Sequence, residues 1–289
     1  MKAKLVMTMA AAMMILAGCS NDENEITDNW NGEIRLSSGV TVQQTRTNST
    51  NVPDTQIAED EVVKVVVAKQ SSDSHDYDGY TLDFTADGNG GLSSSTLMYY
   101  PASGMGVNIY AYHPADAAAS FSVQENQSVD EDYCKSDLLY SKAQDYARRK
   151  EAHSLTFVHK LCKVTYSLVQ GAGSPDLTGA TVKWMNVAKT IGFTAATGVV
   201  ATPTITATIT PHATYGAVIV PQTVSSGTKL LQVTLANGGV LYYTPDTDQP
   251  FNGGKKYNYE ITVNLSGLTV ESTITDWDPV GKTGVAEME

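Results

Sequence analysis

The sequence predicts an all-β protein built as two β-sandwiches. Short runs of β-branched and aromatic residues recur along the chain, separated by Gly, Pro and Asn turn signals. Tyrosine dominates the aromatics, with 15 Tyr against 5 Phe and 3 Trp, which suits half-wet strand faces better than a helical bundle. The one helix-prone stretch, Ser141 to Ala152, lacks the apolar stripe that a packed helix needs. With 289 residues and 42% hydrophobic content, the chain can fill one large or two ordinary cores.

The N-terminus sets the compartment. Met1-Lys2-Ala3-Lys4 is basic, and Leu5 to Ala17 is apolar except for Thr8. That stretch is too short for a comfortable membrane span but has the length of a secretory signal core. It closes on Leu16-Ala17-Gly18-Cys19, which resembles the lipobox of bacterial lipoproteins. The resemblance implies removal of residues 1–18 and lipidation of Cys19, and several acyl chains at one point anchor a protein stably. Residues 19–32 read as a flexible acidic tether, opening with Ser20-Asn21-Asp22-Glu23-Asn24-Glu25. The formal net charge of −12 excludes a nucleic-acid binder, which needs clustered Lys and Arg.

Strands follow in order. Over residues 33–43, Ile34, Leu36, Val40 and Val42 share one parity with Ser38, and Arg35, Ser37, Gly39, Thr41 and Gln43 take the other. That is a period-two strand with one buried face. Further β-type runs cover 62–67, 80–84, 97–100, 107–112 and 138–140, and residues 155–169 read as one long strand. The turn-rich segment Gly171-Ala172-Gly173-Ser174-Pro175-Asp176 then divides the chain, giving sandwiches over 33–170 and 176–289. In the second, strand patterns cover 180–187, 205–209, 217–220, 230–235, 240–243, 257–265 and 268–277.

Catalytic chemistry is not legible. The five histidines form no His-Glu-x-x-His or His-x-His pattern, no Gly-x-Ser-x-Gly elbow occurs, and Gly253-Gly254-Lys255-Lys256 lacks the rest of a P-loop. His153 and His159 share a strand face, roughly 20 Å apart and too far to hold one metal. Around Asp73-Ser74-His75-Asp76-Tyr77-Asp78-Gly79 an EF-hand alignment puts Ser74 and Thr85 where charged ligands belong, so the segment reads as a solvated turn. No cofactor is expected. Cys134 and Cys162 are an even pair once Cys19 is lipidated, open equally to a disulfide and to two separate thiols.

Several segments together resemble the fimbrillin-like proteins of Bacteroidetes, the lipoprotein subunits of type V pili related to the FimA and Mfa proteins. They are the lipobox at Cys19, the first strand ending in Thr45-Arg46, Tyr99-Tyr100-Pro101, Val107 to Pro114, Asp137 to Tyr140 and Leu155 to Leu161. Val220-Pro221, Tyr257 to Val263 and the closing Ile274-Thr275-Asp276-Trp277 complete the set. The resemblance implies two transthyretin-like sandwiches and export as an outer-membrane lipoprotein anchored through Cys19. It also implies an arginine-specific protease that cuts after the first strand, at Arg46 here, followed by assembly with other fimbrillin subunits through strand exchange. Arg46 is the only Lys or Arg between Arg35 and Lys64, so the loop offers such a protease one target. The displaced strand would be that of Ile34, Leu36, Val40 and Val42. The donor is expected near the C-terminus, with Leu268, Val270, Ile274 and Val280 as its apolar residues. The alternative is a surface-anchored glycan-binding lipoprotein that keeps its lipid.

Overall fold

The computed structural model describes residues 30–40, 57, 59–117 and 119–277. Among them are eighteen strands and one short helix, an all-β sandwich fold as the sequence predicts. The first eight strands are β1 (Leu36–Val40), β2 (Val62–Lys69), β3 (Tyr80–Ala86), β4 (Leu92–Ser93), β5 (Val107–His113), β6 (Ser120–Ser122), β7 (Leu139–Tyr146) and β8 (His153–His159), with α1 (Asp130–Cys134) between β6 and β7. Then come β9 (Cys162–Gln170), β10 (Thr181–Thr194), β11 (Val199–Ile209), β12 (Ala217–Ile219), β13 (Gln222–Val224), β14 (Leu231–Thr234), β15 (Val240–Tyr243), β16 (Gln249–Phe251), β17 (Lys255–Asn264) and β18 (Gly267–Asp276).

A seven-stranded sheet runs β1-β8-β7-β5-β2-β3-β4. Its inward residues follow the period of two: Val63, Val65 and Val67 from β2, Ile109 and Ala111 from β5, and Leu155 and Phe157 from β8 are all buried. The remaining strands form a sheet β11-β10-β14-β15 with β6 attached to β10, a sheet β12-β9-β17-β18, and the pair β13-β16. Their shared core centres on Trp184, which meets Phe251 and Tyr259 edge-on. Trp277 is also buried, its ring stacked 3.8 Å from that of His159.

Three expectations change. Residues 155–169 are not one strand, because the chain breaks at Lys160-Leu161 and changes sheet. Lys160 N–H donates to Leu138 O on the first sheet, while Leu161 O accepts from Gly254 N–H on the other side. β9 then pairs with β17 and β12, and β6 pairs with β10. The sheets therefore change at residue 160, and the expected division at 171–175 falls inside the second set. No Gly or Pro marks the break, because a buried Leu161 lets one apolar run feed two cores.

The first half of the helix-prone stretch is also strand. β7 continues to Tyr146 with Lys142 to Asp145 exposed, which explains the missing apolar stripe. The helix that does form, α1, is only five residues long. Finally, Leu97 to Tyr100 is not a regular strand; it meets the first strand through an isolated bridge, Glu33 to Tyr99.

The two sets of sheets meet at the tip of the β10–β11 hairpin. Phe193 lies edge-on to Tyr112 and Tyr140, and Gly198 sits under the Tyr140 ring. Gly198 has φ +65°, and a Cβ there would come within 2.2 Å of Tyr140 Cε1, so only glycine lets the hairpin approach this closely.

Candidate functional site

The candidate site is the slot that the first strand fills. On one side β1 pairs in parallel with β8, from Leu36 opposite His153 to Val40 opposite Phe157. His153 N–H donates to Arg35 O at 2.8 Å. On the other side the strand faces residues 90–100. Ile34 N–H donates to Met98 O (2.8 Å), Ser38 N–H donates to Gly90 O (2.7 Å), and Tyr100 N–H donates to Gly32 O (2.9 Å). The Ser38 hydroxyl adds a bond to Gly90 O at 3.3 Å. The first strand thus bridges the two ends of the seven-stranded sheet.

Its apolar parity points inward, with Ile34 4% and Leu36 8% exposed. Beside them lies a groove of about 230 Å³ flanked by Phe84, Leu92, Leu97 and Met98. Val40 is the last residue of β1. Val42, Arg46, Cys19 and Val280 lie outside the described residues.

His153 and Tyr100 sit under the strand. Tyr100 Oη lies 2.6 Å from His153 Nε2 and accepts from Arg149 N–H at 3.4 Å. Tyr146 packs 4.7 Å from the imidazole. Burial, and then the nearby Arg149 charge, lower the His153 pKa to about 4. The imidazole is neutral near pH 7, and burial likewise raises the Tyr100 pKa. The sequence put His153 and His159 on one strand face, and β8 turns that face inward with Leu155 and Phe157. The pairing of His153 with Tyr100 was not.

The C-terminal residues form the outer strand of their sheet. β18 pairs with β17 along its whole length, from Gly267 opposite Asn264 to Asp276 opposite Lys255. Leu268 and Val270 are half-buried against the second core, whereas Ile274 is 58% exposed. Trp277 follows the strand, its N–H donating to Gly254 O at 2.8 Å.

Cys162 is fully buried, with its thiol donating to Asn252 O at 3.1 Å, and is not bonded to Cys134. Among the described residues, no group of three or more His, Cys, Asp or Glu side chains is placed to hold a metal ion. Asp73 instead closes its own turn, its carboxylate accepting from His75 N–H (2.9 Å) and from Ser103 Oγ (2.7 Å).

The family model described as fimbrillin-like matches residues 45–277. The chain belongs to the fimbrillin-like family. A relative in Bacteroides uniformis, named as a candidate fimbrium subunit, Fim1C, is 26% identical over 99% of this chain and 100% of its own length. The crystal structure of a candidate cell adhesion protein from Bacteroides uniformis covers 86% of this chain and 99% of its own, with 20% identity and a TM-score of 0.64. Another, from Bacteroides ovatus, covers 85% and 97% with 15% identity and the same TM-score. At these identities the two crystal structures establish a shared fold.

Proposed function

We propose that this fimbrillin-like chain is a structural subunit of a cell-surface fimbrium, and that its first strand is a placeholder. The chain is exported as a lipoprotein through Cys19, cut after Arg46 by an arginine-specific protease, and completed by a strand from another subunit. The observation that carries this reading is the slot itself. Losing the first strand leaves backbone groups of β8 and of residues 90–100 unpaired along two edges at once, with the pockets of Ile34 and Leu36 open. A strand from another chain answers both needs. Refilling those two pockets contributes about 3–6 kcal/mol before ordering costs.

β18 supports the same reading from the donor side. Ile34-Arg35-Leu36-Ser37-Ser38-Gly39-Val40 and Leu268-Thr269-Val270-Glu271-Ser272-Thr273-Ile274 both carry apolar residues at the first, third and seventh places and serine at the fifth. In that register Leu268 takes the place of Ile34, Val270 that of Leu36, and Ser272 keeps a hydroxyl against Gly90 O. As an outer strand, β18 is held by a ladder on one edge only, that of β17.

The test is limited proteolysis of the protein from residue 20 with an arginine-specific protease, followed by intact mass and unheated gels. The expected result is one cut after Arg46, release of the first strand, and heat-labile oligomers. Arg46→Ala should block the cut, and Val270→Lys should leave the cut but abolish oligomers. An uncut Arg46, or a severed strand that stays bound to a monomer, overturns the proposal.

A further inference from the structure

The β7–β8 ladder stops after two pairs, Leu139 opposite His159 and Tyr140 opposite Val158. A bulge lies at this point. Across β5, Ile109 faces Gln144 and Ala111 faces Ser141, so β7 carries one extra residue and bends away from β8. Lower down, the Tyr146 hydroxyl reaches across and donates to Ser154 O at 3.5 Å. Between these two points lies a cleft of about 280 Å³.

Tyr140, Tyr146 and Val158 give its apolar lining, and Ser141, Lys142, Gln144 and Thr156 its polar lining. Both tyrosines are buried, and Tyr140 is fixed by its hydroxyl bond to Ala196 O (3.4 Å) and by Phe193. Lys142, Gln144 and Thr156 face solvent. His153 N–H turns toward β1, so alternation turns the backbone N–H and C=O of Thr156 the other way, into the cleft. A ladder bond would normally satisfy them.

We propose that this cleft binds a single pyranose ring of a neutral saccharide. Its volume of about 280 Å³ lies just below the usual range of small-molecule sites, which suits one small ring. The Gln144 amide, the Ser141 and Thr156 hydroxyls and the Thr156 backbone both donate and accept, which matches the hydroxyls of a sugar. The apolar lining of Tyr140, Tyr146 and Val158 suits the C–H groups of the ring. No carboxylate lines the cleft to select a cation; the nearby Asp145 side chain already accepts from Asn108 at 3.0 Å. Lys142 is the one charged side chain in the lining, and the net charge of −12 opposes the attraction of its ammonium for an anion. This site does not depend on removal of the first strand, so it can be tested on the uncut monomer.

The probes are D-galactose, D-glucose and N-acetyl-D-glucosamine at up to tens of millimolar, read by backbone amide shifts, with uronic acids as the charged comparison. At least one neutral sugar should shift the Thr156 and Gln144 amides saturably. Thr156→Trp, an exposed strand position, should fill the cleft and weaken that binding tenfold or more with the unfolding midpoint unchanged. Gln144→Ala should weaken it several-fold, which keeps the test open if the tryptophan variant misfolds. The proposal is overturned if no neutral sugar shifts these amides, if only uronic acids bind, or if both variants bind as the parent does.

Discussion

Replacing Ile34 by alanine tests whether the first strand is a separable element. Ile34 is 4% exposed and its main chain bonds to Met98 O, so the substitution removes most of one of the strand's two apolar anchors. Truncation of a buried isoleucine costs about 2–5 kcal/mol. A value near 3 kcal/mol corresponds to roughly a hundredfold increase in local opening. Native-state hydrogen exchange reads it directly. The Ser38 and His153 amides, which bond across the strand's two edges, should exchange roughly a hundredfold faster. The β2 amides at Val65 and Val66, between β3 and β5 in the same sheet, should hold their protection. If the β2 amides accelerate by the same factor, the first strand opens only with global unfolding, and the idea of a removable placeholder is wrong.

Stability should fall as pH drops from about 6.5 to about 4, because His153 has a folded pKa near 4, below its unfolded value, so the unfolded chain binds the proton first. The contribution is fully present above pH 6.5; allowing for solvent screening it amounts to about 1–2 kcal/mol, and urea unfolding of His153→Phe should lack that slope. Gln127 is fully buried and bonds Val218 through both its amide N–H and its carbonyl, at 2.8 Å each, so Gln127→Ala should lose about 2–3 kcal/mol in urea unfolding. A loss under about 0.5 kcal/mol would mean that water replaces the amide there. Burial raises the Cys162 pKa, so mass mapping should find its thiol unlabelled by iodoacetamide in native protein at pH 8 and labelled in urea.

Much of the fold was readable because the period of two survives wherever one sheet face is buried. Val63, Val65 and Val67 on β2 and Tyr257, Tyr259, Ile261 and Val263 on β17 alternate inward as their sequence suggests. Legibility failed where backbone geometry rather than side-chain pattern decides. The break at Lys160-Leu161 is hidden because both cores want apolar residues there. The strand character of Ser141 to Tyr146 is hidden because the bulged strand exposes four successive residues. The first strand's inner face was plain in Ile34 and Leu36. Its position between β8 and residues 90–100 depends on long-range hydrogen bonds that Gly90 and Met98 make through their carbonyls, and carbonyls carry no sequence signal.

That position has a consequence for folding. Over residues 153–157, β8 is laddered to β1 alone, because its pairing with β7 has ended at Tyr140 and Val158. A chain without its first strand would leave this half of β8 with no ladder on either edge, above a buried and uncharged His153. On the reading proposed above, the first strand keeps this sheet complete until a partner's strand replaces it. Protein lacking residues 1–46 should lose exchange protection at Leu155 and Phe157 while keeping it across β17. A synthetic peptide of residues 267–276 should restore that protection, and the same peptide with Val270→Lys should not, because it places an ammonium where Leu36 is buried. Protection at Leu155 that survives in the truncated protein without any peptide would show that β8 stands on its own. The first strand would then be an ordinary edge strand with no need of a successor.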